Sequence, residues 1–379
     1  MDTTEPYSLS LAFDAKRLFN NNTGLGNYSR TLVRNLQSCF PEHQYHLFTP
    51  KAPKSQETEY FFDQTKFTIH TPNRWNPLWR SWSIAHEINL LKPNIYHGLS
   101  HEIPFGIDHN TKKIVTFHDL IYEKYPNQFG FWDRNMYHFK YQNAAKRADH
   151  IIAISQSTAA DLNSFYQTPY DKMSLVYQSC NDAFFIGKEN TANNWDKKLP
   201  DNFYLYVGSI IERKGLVQII LAYAKLHVKF RKPLVIIGGG DQKYIQKVND
   251  LIAYFSLEKN VFFLKNINNQ DLITIYDRCF CLIYPSIYEG FGIPVIEALA
   301  RHKPVITSNI SSLPEAAGPG GILINPYEPL EITSALEQLH QNDYYQKLVR
   351  EGHAYVENHF AKEKTAHQLM DVYQKVLFD

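Results

Sequence analysis

Two glutamates eight positions apart, Glu289 and Glu297, frame the segment Pro285–Ala300. A carboxylate presents two acceptor oxygens, which match a pair of vicinal hydroxyls on a sugar ring or a ribose. Gly290 and Gly292 bracket a loop that includes Phe291 and runs through Ile293 to Pro294, which is well placed for the first turn of a helix. Free N–H groups at such a helix start favour an anion, and the glycines let a ligand approach the backbone. Taken singly, Glu289 reads as a solvated loop residue and Glu297 as an acid favoured by the helix dipole. The whole strand–loop–helix block shifts the weight to a pocket.

A second cluster runs from Tyr206 through Gly208 to Arg213, Lys214 and Gly215. Arg213 supplies a planar fork and Lys214 a point charge, which together at a strand's carboxyl end suit a diphosphate. Adjacent basic residues are also common on solvated surfaces; the position after the first strand of a series favours binding. A third set lies in the first half. Thr23-Gly24-Leu25-Gly26 connects a strand to a helix but lacks the third glycine of a dinucleotide fingerprint. His118 closes the strand Ile114–Phe117, where an imidazole can bond a hydroxyl or stabilise charge. Asp119 serves equally well as a turn or cap residue. The stretch from His97 to His101 and Glu102 runs off the end of a strand rather than lying on a helix, so a polar loop is the better reading than a metal site.

These groups sit on short apolar strands that alternate with helical patterns, the signature of α/β folds with parallel sheets. The first series comprises Ser8–Asp14, Tyr45–Thr49, Phe67–His70, Asn94–His97, Lys113–Phe117, His150–Ser155 and Ser174–Gln178. The second comprises Phe203–Val207, Leu234–Ile237, Val261–Leu264, Cys279–Tyr284, Pro304–Thr307 and Ile322–Ile324. A helix is expected over Leu216–Lys229, and another over Lys362–Phe378. The expected division is a first domain over 1–186, a polar linker over 187–200, a second domain over 201–359, and a C-terminal helix over 360–379 returning to the first domain. Ligands of such sheets bind outside the carboxyl ends of the strands.

The chain has 379 residues, room for two cores. Its 39 basic and 38 acidic residues leave a net charge of +1, which gives no footprint for nucleic acid. The N-terminus carries acid where a signal peptide is basic, and no apolar run reaches the roughly 18 residues of a membrane span. The four scattered cysteines (Cys39, Cys180, Cys279, Cys281) imply no disulfide framework. A reduced, cytoplasmic protein is expected. Aromatic residues reach 14%, and many fall in the first half.

Taken together, these residues resemble the retaining nucleotide-sugar glycosyltransferases of family 4, in their mannosyltransferase-like branch. That family has the GT-B fold, two Rossmann-like doubly wound parallel-sheet α/β domains facing each other across a cleft. Glu289 and Glu297 match its E-x7-E element, Arg213 and Lys214 its basic pair, Gly24 to Gly26 its glycine loop, and Thr116–Leu120 its histidine segment. Ser308–Gly318 is similar as well. One departure is that Phe360-Ala361-Lys362 lacks the tryptophan the family often carries there.

The resemblance implies transfer of a hexose, best matched by mannose from GDP-mannose, to a glycan or lipid-linked acceptor in surface polysaccharide synthesis. It implies Glu297 on the ribose, Glu289 and His118 on the donor sugar, and Arg213 with Lys214 on the departing diphosphate. The glycines Gly24, Gly26, Gly208, Gly290 and Gly292, with Phe291 and Ile293, would line the donor. No metal or other cofactor is implied. A sugar-nucleotide epimerase, a phosphorylase and a nonenzymatic sugar-binding module are the rival readings. Acceptor contacts should come from the first domain. There the segment Arg74–Trp82 concentrates three tryptophans with two arginines, which suits anionic lipid or a lipid-linked sugar at the inner face of a membrane. Packing of Trp79 and Trp82 onto the sheet is the competing and better-supported reading.

Overall fold

The computed structural model describes residues 8–21, 23–72, 78–186 and 199–378. Most of the expected linker, and Arg74, Trp75, Asn76 and Pro77, lie outside the described residues. The chain divides into two compact units, Met1–Ser179 with Lys362–Asp379, and Cys180–Ala361.

In the first unit the described strands are β1 (Ser10–Asp14), β2 (Gln44–Phe48), β3 (Phe67–His70), β4 (Ile95–Gly98), β5 (Lys112–Phe117), β6 (His150–Ala153) and β7 (Met173–Leu175). They form one parallel sheet in the order β3-β2-β1-β4-β5-β6-β7. Leu11, Phe13, Ile95, Ile114 and Ile152 are fully buried, because helices cover both faces of a parallel sheet and leave its central strands no side for water. Strand order reverses between β1 and β4, the place where doubly wound sheets open a crevice.

The second unit repeats the plan with β8 (Phe203–Val207), β9 (Leu234–Ile237), β10 (Val261–Leu264), β11 (Cys279–Tyr284), β12 (Val305–Ser308) and β13 (Gly321–Ile324). Their order, β10-β9-β8-β11-β12-β13, again reverses beside the first strand of the series. Cys279 and Cys281 are buried free thiols of β11.

Several expectations are corrected. Cys180–Ile186 belongs to the second unit, not the first. The Arg301 guanidinium donates to the carbonyls of Phe184 and Ile186, and the Phe184 ring meets Tyr276 edge-on at 5.8 Å. Phe360 also stays with the second unit, closing the helix Asn342–Phe360. The helix expected over Leu216–Lys229 stops at Lys225, where Leu226 turns to extended backbone. Gly24 does not lie in a loop: it opens the helix Gly24–Cys39, and a short helix, Lys16–Asn20, intervenes after β1.

The last helix, Lys362–Phe378, packs into the first unit, as the resemblance implies. Its Leu369, Met370 and Tyr373 join the core built by Phe13, Val33 and Tyr45. The Tyr373 hydroxyl meets His97 Nδ1 at 2.6 Å, His97 Nε2 meets Thr116 Oγ1 at 2.8 Å, and Thr116 meets Tyr28 at 3.0 Å. This buried chain ties four elements together and leaves neither nitrogen of His97 for a metal.

Candidate active site of the second unit

Two strand ends build the site. β8 runs into Gly208 and a tight turn, Glu212–Lys214, that ends at Gly215 with φ +69°. β11 runs into the loop from Pro285 to Gly292, and the helix Ile293–Ala300 follows. The two loops are hydrogen-bonded to each other: Ile287 N–H donates to the Arg213 carbonyl at 2.9 Å. Gly215 is required there, since a Cβ would lie 2.5 Å from the Pro285 carbonyl oxygen. Gly292 adopts φ +120°, and a Cβ would meet Leu313 Cδ2 at 2.8 Å. A third loop braces the second. Ser311 Oγ accepts from Glu289 N–H at 3.1 Å, and Ser312 Oγ donates to the carbonyls of Glu289 and Phe291, each at 2.9 Å. Phe291 in turn packs edge-on against Phe360 at 5.2 Å, at the position where the family often has its aromatic motif.

On this frame three groups converge on one carboxylate oxygen. Lys214 Nζ donates to Glu289 Oε1, Arg213 Nη1 reaches it at 3.3 Å, and the Tyr284 hydroxyl at 3.1 Å. Lys214 also donates to the Tyr284 hydroxyl at 2.6 Å, and Arg213 to the Tyr288 carbonyl. Side chains of Arg213, Lys214 and Glu289 are only 15%, 11% and 12% exposed, so the charges interact with little screening. Burial alone would push the Glu289 carboxyl up. The Lys214 ammonium and then the Arg213 guanidinium outweigh it and hold the group below the usual carboxylate range. The basic pair is therefore fixed in place by the acid it was expected to work beside.

Glu297 has different surroundings. Its Oε2 accepts from the Tyr276 hydroxyl at 3.0 Å, and burial raises its carboxyl to about 7, a shift that this hydrogen bond opposes. It lies one turn into the helix Ile293–Ala300.

In the first unit His118 is almost fully buried. Its Nε2–H donates to the Leu99 carbonyl at 2.9 Å, so Nδ1 accepts from Gln178 Nε2 at 3.2 Å. Burial lowers its pKa to about 4, against the Leu99 bond, and the ring is neutral. Its backbone N–H donates to His101 Nε2 at 2.9 Å. Gly24 has open space around its Cα, whereas a Cβ on Gly26 would collide with the Asn21 carbonyl. Asn21 Oδ1 caps this helix by accepting from Thr23 N–H at 2.9 Å and Gly26 N–H at 3.1 Å. Trp79 is buried, its indole N–H donating to Glu87 at 2.8 Å, while Trp82 is exposed. Packing onto the sheet thus describes Trp79 but not Trp82.

Two site residues had no signal of their own in the sequence, and a third was visible only within a longer family-like stretch. Tyr284 and Tyr276 sit in apolar runs and look like core, whereas Ser311 lies in the family-like stretch Ser308–Gly318 without a role that its residue type suggests. Among the described residues no cluster of three or more His, Cys, Asp or Glu is placed to hold a metal ion.

With this geometry in view, the relatives are informative. Residues 22–183 match the family model described as Glycosyltransferase Family 4, and residues 187–355 that described as Glycosyl transferases group 1. The chain belongs to the family 4 glycosyltransferases of GT-B fold. It is 29% identical over 298 residues to the serotype-specific mannosyltransferase WbdA of Escherichia coli, covering 74% of this chain and 36% of that one. It is 28% identical over 227 residues to the O-antigen chain mannosyltransferase RfbU of Salmonella typhimurium, covering 60% of each. The aligned part thus spans about a third of WbdA and three fifths of RfbU. Among solved structures, a glycosyltransferase from Rickettsia africae superposes with TM-score 0.75 at 18% identity, over 99% of this chain and 100% of that one. Anabaena HepE in complex with UDP-glucose superposes with TM-score 0.76 at 15% identity, over 97% and 100%.

Proposed function

We propose that the chain transfers a hexosyl group from a nucleotide-sugar donor to a glycan acceptor in polysaccharide synthesis, with retention at the anomeric carbon. The donor is GDP-mannose, a reading supported by relatives that are named mannosyltransferases. The observation that carries the activity is the convergence of Lys214, Arg213 and Tyr284 on Glu289 at the ends of β8 and β11. Two cations held in place before the reaction stabilise a departing diphosphate without reorganising, and they supply this charge without a metal ion. Glu289 orients them and accepts a hydroxyl of the donor sugar. Glu297 accepts the ribose hydroxyls, and the leaving phosphate takes the proton of the attacking acceptor. The family resemblance assigns His118, neutral and donating to Leu99, to the donor sugar. The cytoplasm is the compartment; no described helix is long and apolar enough to cross a membrane.

A thermal-shift screen against GDP, UDP and their sugars tests the donor: GDP-mannose should stabilise the protein most. Glu289→Gln should reduce kcat by roughly 10²–10³ while nucleotide stabilisation persists. No stabilisation by any nucleotide sugar, or full turnover in the variant, overturns the reading.

A further inference from the structure

We propose that a cavity at the amino ends of the second unit's sheet binds a soluble phosphate monoester of a hydroxylated small molecule, a sugar phosphate in chemical class. The cavity measures about 390 Å³, within the range of small-molecule sites. Three neighbouring strands start at it: Asn202 precedes β8, Cys279 and Phe280 open β11, and Lys303 lies just before β12. At their other ends β8 and β11 run into Gly208 and Pro285, so the candidate active site lies across the full length of these strands. No group of the proposed transfer comes from the amino ends, which makes a ligand held there a second one.

The cavity is basic, and its charges are poorly matched from within the protein. Lys303 on the lining and Lys232 beside it are half-buried, and neither has a carboxylate at ion-pair distance among the described residues. Lys232 Nζ stands 4.7 Å from the centroid of the Phe280 ring, which is part of the lining. His340, also on the lining, has its pKa lowered by burial and then by the Lys232 charge, so it adds a neutral ring. Arg278 is only 19% exposed, and its Nη2 lies 2.7 Å from Asp201 Oδ1. That carboxylate is 96% exposed, so water screens the pair and it contributes little. A phosphate can replace it on the guanidinium, whose fork suits phosphate oxygens. Asp343, adjacent in sequence to the lining, is exposed and opposes an anion only through solvent.

Beside the cations lie carboxamides. The side chains of Asn202, Asn342 and Gln346 line the cavity and make no hydrogen bond among the described residues. Each offers donors and an acceptor, the complement of a sugar hydroxyl. The floor is held firm: Phe280 stacks on Tyr345 with centroids 4.9 Å apart, and the Tyr345 hydroxyl donates to the Phe280 carbonyl at 2.9 Å. Cations on one side and amides on the other fit a ligand with a charged end and a hydroxylated body. A phospholipid headgroup carries the same phosphate. No lining residue is a large apolar side chain exposed to solvent, however, so an acyl chain finds nothing to rest on.

The test is calorimetry of the full chain titrated with glucose 6-phosphate and mannose 6-phosphate, with inorganic phosphate and phosphatidylglycerol vesicles as separate arms. At least one hexose phosphate should bind, more tightly than inorganic phosphate, and saturating GDP should leave its affinity unchanged. Lys303→Gln should weaken it about tenfold, the worth of one charge-assisted hydrogen bond, and Lys232→Gln should weaken it as well. Gln346→Ala should erase the preference over inorganic phosphate. The three ligand-free variants should melt as wild type does, because none of these side chains has a hydrogen bond or ion pair to lose. Affinity unchanged in Lys303→Gln, displacement by GDP, equal affinity for inorganic phosphate, binding to vesicles alone, or no hexose phosphate bound overturns the proposal. Failure of nucleotide sugars to bind, with hexose phosphate still bound, would instead remove the transferase reading and leave this site standing.

Discussion

The two glutamates eight positions apart illustrate how surroundings separate identical side chains. Glu289 is held ionised by Lys214 and Arg213, whereas Glu297 has burial pushing it to about 7 and one tyrosine opposing. Their effects on stability therefore have opposite sign. The depressed Glu289 stabilises the fold above its unfolded value near 4.5, and this contribution fades as pH falls through its lower folded value. The raised Glu297 stabilises the fold below about 4.5, and this contribution is lost as pH climbs through about 7. Denaturant unfolding from pH 5 to 8 should show this loss, of about 1–3 kcal/mol, and Glu297→Gln should flatten it. An unchanged slope in the variant would contradict the assignment. His118 makes a second prediction at this scale: with a pKa of about 4 and Nε2–H committed to Leu99, it stays neutral in any ordinary assay. Its imidazole NMR signals should not titrate between pH 5.5 and 8 (~1 unit or more above that value), and the kcat/KM profile should carry no limb from it.

At the level of strands and loops, two glycines give a matched comparison. Gly215→Ala places a Cβ 2.5 Å from the Pro285 carbonyl at φ +69°, so it strains the joint between the two loops and should cost about 1–3 kcal/mol. Gly24→Ala meets open space in the first turn of a helix and should be neutral or stabilising by up to about 1 kcal/mol. Melting temperatures of the two variants check this contrast, and transfer by Gly24→Ala separately tests whether that backbone touches a donor. Much of this scale was readable in the sequence. Cys279–Tyr284 is a short apolar run set by burial on both faces, and the edge strand Phe67–His70 shows the alternation of a half-buried one. The failures are equally physical. Gly24 looks like a loop residue because glycine weakens helices, yet Asn21 lies upstream and caps the turn with its side chain. Leu226 continues a helical periodicity, but its extended backbone ends the helix there. Arg213 and Lys214 were legible as a basic pair. That Tyr284 and Glu289 hold them was not, because the partners are some 70 residues away in sequence.

For the molecule as a whole, the decisive feature is that the last helix belongs to the first unit although the second unit lies between them in the chain. Deleting Lys362–Asp379 would remove Leu369, Met370 and Tyr373 from a shared core, each worth about 1.5–3 kcal/mol. That sum is comparable to the whole stability of a domain. Hydrogen exchange should then show protection lost in β1, β2 and β4, with the strands of the second unit still protected and GDP-mannose still stabilising it. Protection retained in β1 would show the helix to be an accessory. The same arrangement sets an order of events during synthesis. The first unit emerges from the ribosome well before Tyr373, so its sheet must wait with Phe13, Val33 and Tyr45 incompletely covered while the second unit is translated and can already close. The half made first is finished last, and for that interval it depends on chaperones or speed to keep its open face from other nascent chains.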